Sequence, residues 1–237
     1  VTSLRNTFIE NTNLKEPPII PTTINSMYET FARCSELTEM PEIPNGMIDM
    51  TSTFYNCINL QNTTNIPNSV TIMNFTFNNC SKITAIHKLP ENLETMRSCF
   101  QGCSKLLEMP DIPENVVNMR GTFHGCSEIT EMKKIPSSVT NISDCFRDCI
   151  KLRTASTIPN SVTNMRSVFR GCSDLQGVLE INANLTGKIT EDGYEDYLFC
   201  LTDATTNEGI TLQIIGSCTI LDKIIENANN PNITLGI

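Results

Sequence analysis

Apolar residues return along this chain with a period of 23 positions. Phe8, Phe31, Phe54, Phe77, Phe100, Phe123, Phe146 and Phe169 keep that interval without one insertion. With each Phe counted as position one, Cys or Asn follows at position four and Leu or Ile at position seven. Ile or Leu returns at thirteen, Pro fills fourteen in seven copies from Pro21 to Pro159, and Met or Ile fills twenty. All ten methionines fall at positions ten, seventeen or twenty, where an unbranched side chain fills irregular gaps in a core. A fixed period held over most of a chain marks a solenoid, in which each unit buries its apolar face only by stacking on its neighbours.

The pattern inside one unit predicts its elements. Met119, Thr122, Phe123 and Cys126 fall at i, i+3, i+4 and i+7, one face of a helix, so position twenty to the next Cys predicts a short helical segment. Thr163 and Asn164, just before Met165, suit its cap. Positions seven to thirteen predict a short strand, stopped by a Pro that has no N–H for a ladder. A crossing that bears Val joins the two. After Cys172 the pattern decays, and Asp192 stands where the next Phe is due. Residues 1–176 are therefore an array of about eight repeats, and residues 177–237 a degenerate last repeat and C-terminal cap. In that cap, residues 209–215 read as a strand. Ser217 caps a helix to about Asn227, with Ile220, Leu221, Ile224 and Ile225 on one face, and residues 233–237 close it as a second strand.

Leu106-x-x-Met109-x-x-Ile112-Pro113-x-x-Val116, followed by Asn118-Met119-x-x-x-Phe123-x-Gly125-Cys126-Ser127, resembles the 23-residue leucine-rich repeats of the BspA-like bacterial surface proteins. The resemblance covers about residues 1–185. The first copy departs from it, with Asn11 for Cys and Glu16-Pro17-Pro18 in the strand, which suits a terminal repeat. The resemblance implies an α/β, right-handed leucine-rich-repeat solenoid with parallel strands, short helical turns and a strand–helix–strand cap. It also implies a secreted or surface-anchored protein used for adhesion or protein recognition, with a host extracellular or surface protein as the class of partner.

Charge narrows the partners. The net charge of −9, with 17 scattered Lys and Arg, argues against a nucleic-acid backbone or an anionic membrane as the main partner. No apolar stretch approaches the roughly 18 residues of a membrane span. The chain begins at Val1, within a repeat, which reads as a trimmed or mature form; the lack of a signal peptide then says nothing about secretion. Nothing in the sequence sets the oligomeric state.

Eleven cysteines suggest a disulfide framework until they are placed on the repeat. Cys34, Cys57, Cys80, Cys103, Cys126, Cys149 and Cys172 all take position four and form a structural ladder. Coils about 4.8 Å apart permit bridges by distance, but equivalent side chains point in parallel, which favours buried thiols donating weakly to a corner carbonyl. Cys99–Cys103 and Cys145–Cys149 have metal-like spacing, yet two coils at about 10 Å cannot bring four sulfurs to about 2.3 Å from one ion. Cys200 and Cys218 are the one pair open to a disulfide.

Candidate chemistry is sparse. His87 and His124 fall on different faces, and no nucleophile–base set forms around either. Residues 191–196, Glu-Asp-Gly-Tyr-Glu-Asp, lack the alternating ligand spacing of a calcium loop and read as a solvated segment. Six Asn-x-Ser/Thr sequons, at Asn62, Asn74, Asn79, Asn141, Asn184 and Asn232, are what a chain rich in these residues yields by chance. No catalytic, metal or cofactor site is expected.

The variable strand positions nine and twelve remain. They carry Glu39 and Glu42, Asn62 and Asn65, Ala85 and Lys88, Glu108 and Asp111, Glu131 and Lys134, then Thr154 and Thr157, as two polar columns on one face. Repeat proteins bind partners on such a face, and mixed charge suits a protein. The absence of Trp and the presence of only Tyr28 and Tyr55 in the array weaken a sugar-binding reading. The alternatives are a structural spacer and, more remotely, a carbohydrate-active enzyme on a parallel β-helix.

Overall fold

Eight turns of chain stack one on the next, each 23 residues long, with one Phe ring per turn on the common axis. The computed structural model describes residues 1–181 and 210–214. The rings from Phe8 to Phe169 lie 5.2–5.9 Å apart between centroids and are tilted by only 3–18°. From Phe31 onward they are fully enclosed. Around them the residues at positions four, seven, thirteen, seventeen and twenty form one continuous core, with nearly every one out of water. The inward facing of Met119, Thr122, Phe123 and Cys126 is as the spacing predicts, each at 0% exposure.

The backbone that achieves this facing is not helical. Among the described residues no helix forms; the stretch from position twenty to the Cys is a run of turns. Positions twenty-two and three carry positive φ in every coil, from Asn6 and Glu10 to Ser167 and Gly171. Two left-handed residues in each short run break any i→i−4 ladder. N–H groups alternate instead between two partners. Those of Glu29, Phe31 and Arg33 donate to Thr51, Thr53 and Tyr55 carbonyls of the next coil, while those of Thr30 and Cys34 close i→i−3 turns on Met27 and Phe31. A helix this short would leave its end groups unpaired, whereas the alternating run satisfies them against the neighbouring coil.

The strand is also displaced from its expected place. A ladder of parallel bridges runs unbroken through position nineteen, from Ser3 and Ser26 through Asp49, Ile72, Thr95, Asn118 and Asn141 to Asn164. Within it each position-eighteen N–H donates to the same position of the preceding coil, as Ile48 does to Asn25 at 2.8 Å and Thr71 to Ile48 at 3.0 Å. Positions seven to thirteen pair only locally, with bridges at position nine between Glu39 and Asn62 and between Glu131 and Thr154. The last coil completes the predicted strand: β1, Gly177–Ile181, covers positions nine to thirteen. It pairs in parallel with β2, Ile210–Ile214, with Gly177 opposite Ile210. β2 matches the strand read at residues 209–215. The cap helix, the closing strand, Cys200, Cys218, residues 191–196 and the sequons at Asn184 and Asn232 lie outside the described residues.

Pro does more than end the strand. Its carbonyl accepts the N–H of position seventeen in all seven copies, at 3.0–3.1 Å from Pro21–Ile24 to Pro159–Val162, closing a tight turn.

Candidate functional site

Positions nine and twelve point away from the core, because position ten turns inward between them. Met40, Met109 and Met132 are buried at position ten. Glu39, Glu42, Asn62, Asn65, Lys88, Glu108, Asp111, Glu131, Lys134, Thr154 and Thr157 are all exposed. They lie on the outer face of one side of the solenoid. Some are already engaged with neighbours. Asn62 Nδ2 donates to Glu39 Oε1 at 3.3 Å, and Lys134 Nζ lies 3.4 Å from Glu114 Oε1. Lys88 Nζ donates to Glu91 Oε1 at 2.7 Å, which holds the Glu91 carboxyl below its ordinary range.

The face opens in the middle. No position-nine bridge joins Asn62 to Ala85, Ala85 to Glu108 or Glu108 to Glu131. A cleft of about 370 Å³ lies there, between the segments Thr84–Leu89 and Leu107–Asp111, with Lys133 at its rim. Lys88, Glu108 and Asp111 enter its lining, and Lys133 Nζ donates to Asp111 Oδ1 at 3.0 Å. Of the lining residues outside the two polar columns, three bear on its chemistry. His87 is one. Lys133 is another, at position eleven. Leu107 is the third, 54% exposed at position eight, where other coils carry Thr38, Gln61, Thr84, Thr130 and Arg153. An apolar residue in a column of polar ones is a signal the sequence does carry. A second groove of about 220 Å³ continues past Leu107 to Thr130 and Glu131. The remaining candidates do not join this cleft; Glu39, Glu42, Asn62 and Asn65 lie toward one end of the array and Thr154 and Thr157 toward the other.

The cysteine ladder lies on a different side and is closed to solvent. Each Sγ from Cys34 to Cys172 donates to the carbonyl of the Phe 26 residues before it, at 3.0–3.1 Å. Cys99 and Cys145 take the slot where Thr53 Oγ1 sits 2.8 Å from both the Met27 and Met50 carbonyls. All nine cysteines among the described residues are free and buried. Burial pushes every one of these thiols above the ordinary 9.0, to about 12 for Cys145 and Cys172. A neutral, enclosed thiol is neither nucleophile nor metal ligand. Among the described residues no three His, Cys, Asp or Glu side chains converge as a metal site would require. His124 stands on the turn side of each coil, with Nε2 3.2 Å from Asp148 Oδ2, far from His87 in the cleft.

The repeat is also the unit that known proteins share. The sequence matches the family described as BspA type leucine rich repeat region in six copies, over residues 1–70, 47–176 and 107–218. The chain belongs to this family. No curated protein matches it. Three solved structures are similar to this BspA-type array. A leucine-rich repeat protein from Bacteroides ovatus is 23% identical over 87% of this chain and 64% of its own, with a TM-score of 0.49. The leucine-rich repeat protein of T. pallidum is 20% identical over 74% of this chain and 72% of its own, with a TM-score of 0.51. The pneumococcal vaccine antigen PcpA is 12% identical over 95% of this chain and 68% of its own, with a TM-score of 0.56. The chain thus spans under two thirds of the length of the Bacteroides ovatus protein. At these identities the last two likenesses speak for the repeat-solenoid fold. Among the described residues no helix is long and apolar enough to cross a membrane.

Proposed function

We propose that this BspA-type array is a non-catalytic recognition or adhesion module of a secreted or surface-exposed bacterial protein. It binds a protein partner through the face of positions nine and twelve. The cleft beside Ala85 and Glu108 supports this reading most. It sets an exposed Leu107 among the carboxylates of Glu108 and Asp111 and the ammonium groups of Lys88 and Lys133. An apolar centre within a rim of both charges is the composition of a protein contact surface. A sugar platform would instead need exposed aromatic rings, and no Tyr or Phe lines the cleft. The buried ladder of neutral thiols agrees with a non-enzymatic role, as does family membership. In the same reading the coil is right-handed, as parallel crossovers are, and residues 177–237 cap its last face.

The test is capture of host extracellular proteins by the native chain beside a variant with Glu39, Glu42, Glu108 and Asp111 changed to Ser. A partner held by the native chain and lost by the folded variant is the expected result. Retention by both would move the site off this face. No partner across a broad panel would leave the array a spacer.

A further inference from the structure

Each open joint on the outer face leaves backbone groups without a protein partner. In the closed joints the position-ten N–H donates to the position-nine carbonyl of the next coil, Met40 to Asn62 at 3.3 Å and Met132 to Thr154 at 2.9 Å. The equivalent N–H groups of Thr63, Ile86 and Met109 reach no such oxygen. Among the described residues, the carbonyls of Ala85, Glu108 and Glu131 accept no hydrogen bond in return. The cleft is nevertheless held at a set width. At one end Leu107 N donates to the Thr84 carbonyl at 3.1 Å, and at the other Asn115 Nδ2 donates to the Glu91 carbonyl at 3.2 Å. The space between is preformed, and a ligand need not order it first.

That space is apolar within and rich in acceptors at its mouth. Leu89 and Met109 are buried and Ile86 half-buried along its walls, while Leu107 stands exposed between it and the adjoining groove. The cations beside it are already engaged. Lys88 Nζ lies 2.7 Å from Glu91, Lys133 Nζ 3.0 Å from Asp111 and Lys134 Nζ 3.4 Å from Glu114. Two carboxylates are left over. Glu108 lines both openings and Glu131 the second, one coil apart at position nine, and among the described residues neither is ion-paired. The unsatisfied groups at the mouth are thus two carboxylates and the bare carbonyls of Ala85 and Glu108. They call for a ligand that donates and carries positive charge.

We propose that this cleft receives an arginine side chain of the protein partner, with its methylenes against Leu107 and Ile86 and its guanidinium between Glu108 and Glu131. The inference rests on the reading that this face binds a protein, and it names the residue the partner presents there. Arginine matches both halves of the site. Its apolar stem can lie on the walls, and its head has five N–H donors and no acceptor. The planar fork can serve two carboxylates at once, which the point charge of a lysine does less well. The net charge of −9 favours the approach of a basic segment.

N-acetyl-arginine amide, titrated into the isotope-labelled whole chain and followed by NMR, tests the assignment. The amide signals of Ile86, Leu107, Glu108 and Met109 should shift and saturate at about millimolar concentration, the affinity open to one small side chain. The lysine counterpart should bind several-fold more weakly, and the uncharged citrulline counterpart about tenfold more weakly or less. Glu108→Gln with Glu131→Gln should weaken arginine binding by about tenfold or more, the loss expected for two charge-assisted contacts. Glu39→Gln with Glu42→Gln removes the same charge toward one end of the face and should change affinity less than about twofold. Thermal unfolding of each variant checks the fold. Should the cleft pair fail to fold, Leu107→Thr, the residue that Thr84 and Thr130 supply at that position, should still weaken binding several-fold. No shift in the native chain would overturn the proposal. So would equal binding of citrulline or lysine, or equal weakening by the two glutamine pairs. A host protein captured through this face, with no arginine bound in the cleft, would overturn this inference alone. Arginine bound as expected, with capture indifferent to the four serine changes, would instead overturn the reading of the face on which it rests.

Discussion

At the scale of single residues, the repeat is shaped by a backbone angle rather than by a side chain. Twelve non-glycine residues and four glycines hold positive φ, two in each coil. For a residue with a Cβ that conformation costs about 1 kcal/mol or more, so the hydrogen bonds to neighbouring coils must outweigh it repeatedly. Two glycines separate the angle from the space around it. A Cβ at Gly125, φ +73°, would meet nothing closer than 3.7 Å. Gly125→Ala should therefore cost about 1 kcal/mol, from the backbone alone. At Gly102, φ +74°, a Cβ would strike Asn79 Oδ1, whose amide nitrogen bonds to Asn56 Oδ1 at 2.8 Å. Gly102→Ala should cost that amount and about 0.5–1 kcal/mol more, as Asn79 turns away. Urea unfolding of the two variants measures the difference. Equal losses would mean that Asn79 moves freely and its bond to Asn56 contributes nothing.

At the scale of the element, the coil was legible in its facing and illegible in its path. Spacing of i, i+3, i+4 and i+7 placed Met119, Thr122, Phe123 and Cys126 correctly on the inside. Over so short a run, however, turns closed i→i−3 leave the same imprint as a helix. Glycines such as Gly102 and Gly125, and Asn or Asp at Asn6, Asn56, Asn79, Asp144 and Asp148, carried a signal of the left-handed positions; Glu29, Arg33 and Phe75 adopt them without looking like turn residues. The ladder through position nineteen left no imprint for a related reason. Its N–H groups come from Asn25, Ile48, Thr71, Glu94 and Val117, five different side chains whose backbones alone matter. Exposure of the two polar columns was readable from their polar, variable residues beside the apolar positions ten and thirteen. The cleft was not, because position-nine bridges are missing from Asn62 to Glu131 and no residue type along that column marks where they stop. The stacked Phe is where sequence and coil agree most fully, and it gives the element its own test. Phe100 is fully buried between rings at 5.7 Å on both sides, whereas Phe8 is partly buried and has one neighbour at 5.2 Å. Phe100→Ala should cost about 3–5 kcal/mol through lost burial, a cavity and two broken stacks. Because a coil contacts only its neighbours, it should also split unfolding into two phases. Phe8→Ala should cost clearly less and leave one transition. If calorimetry showed the same loss at both sites, the rings would not be acting as a continuous stack.

At the scale of the whole molecule, repetition turns a weak property of one thiol into a strong property of the array. Each ladder cysteine is neutral because burial makes its thiolate unfavourable, with the neighbouring thiols adding to the effect in Cys80, Cys126 and Cys149. In the unfolded chain the same thiols ionise from about pH 8.5 upward. Between that point and the folded values, about 12 for Cys145 and Cys172, the unfolded state binds fewer protons, so stability must fall as pH rises. Below pH 8 both states keep their protons and the thiols contribute no slope. One such group removes about 1.4 kcal/mol per pH unit, a modest effect. Nine together, once ionised in the unfolded chain, would remove about 12 kcal/mol per unit, on the order of a domain's entire stability. Reduced protein should therefore hold its structure to about pH 9 and then unfold within about one further unit. Alkylation by iodoacetamide, blocked while the sulfurs are enclosed, should begin at the pH where circular dichroism is lost. Changing Cys145 and Cys172 to Val should make the transition shallower. Labelling of several ladder thiols at pH 8 in otherwise folded protein would show that the corners open on their own, and that the coils are held by their backbone bonds and stacked rings without the closed cysteine ladder.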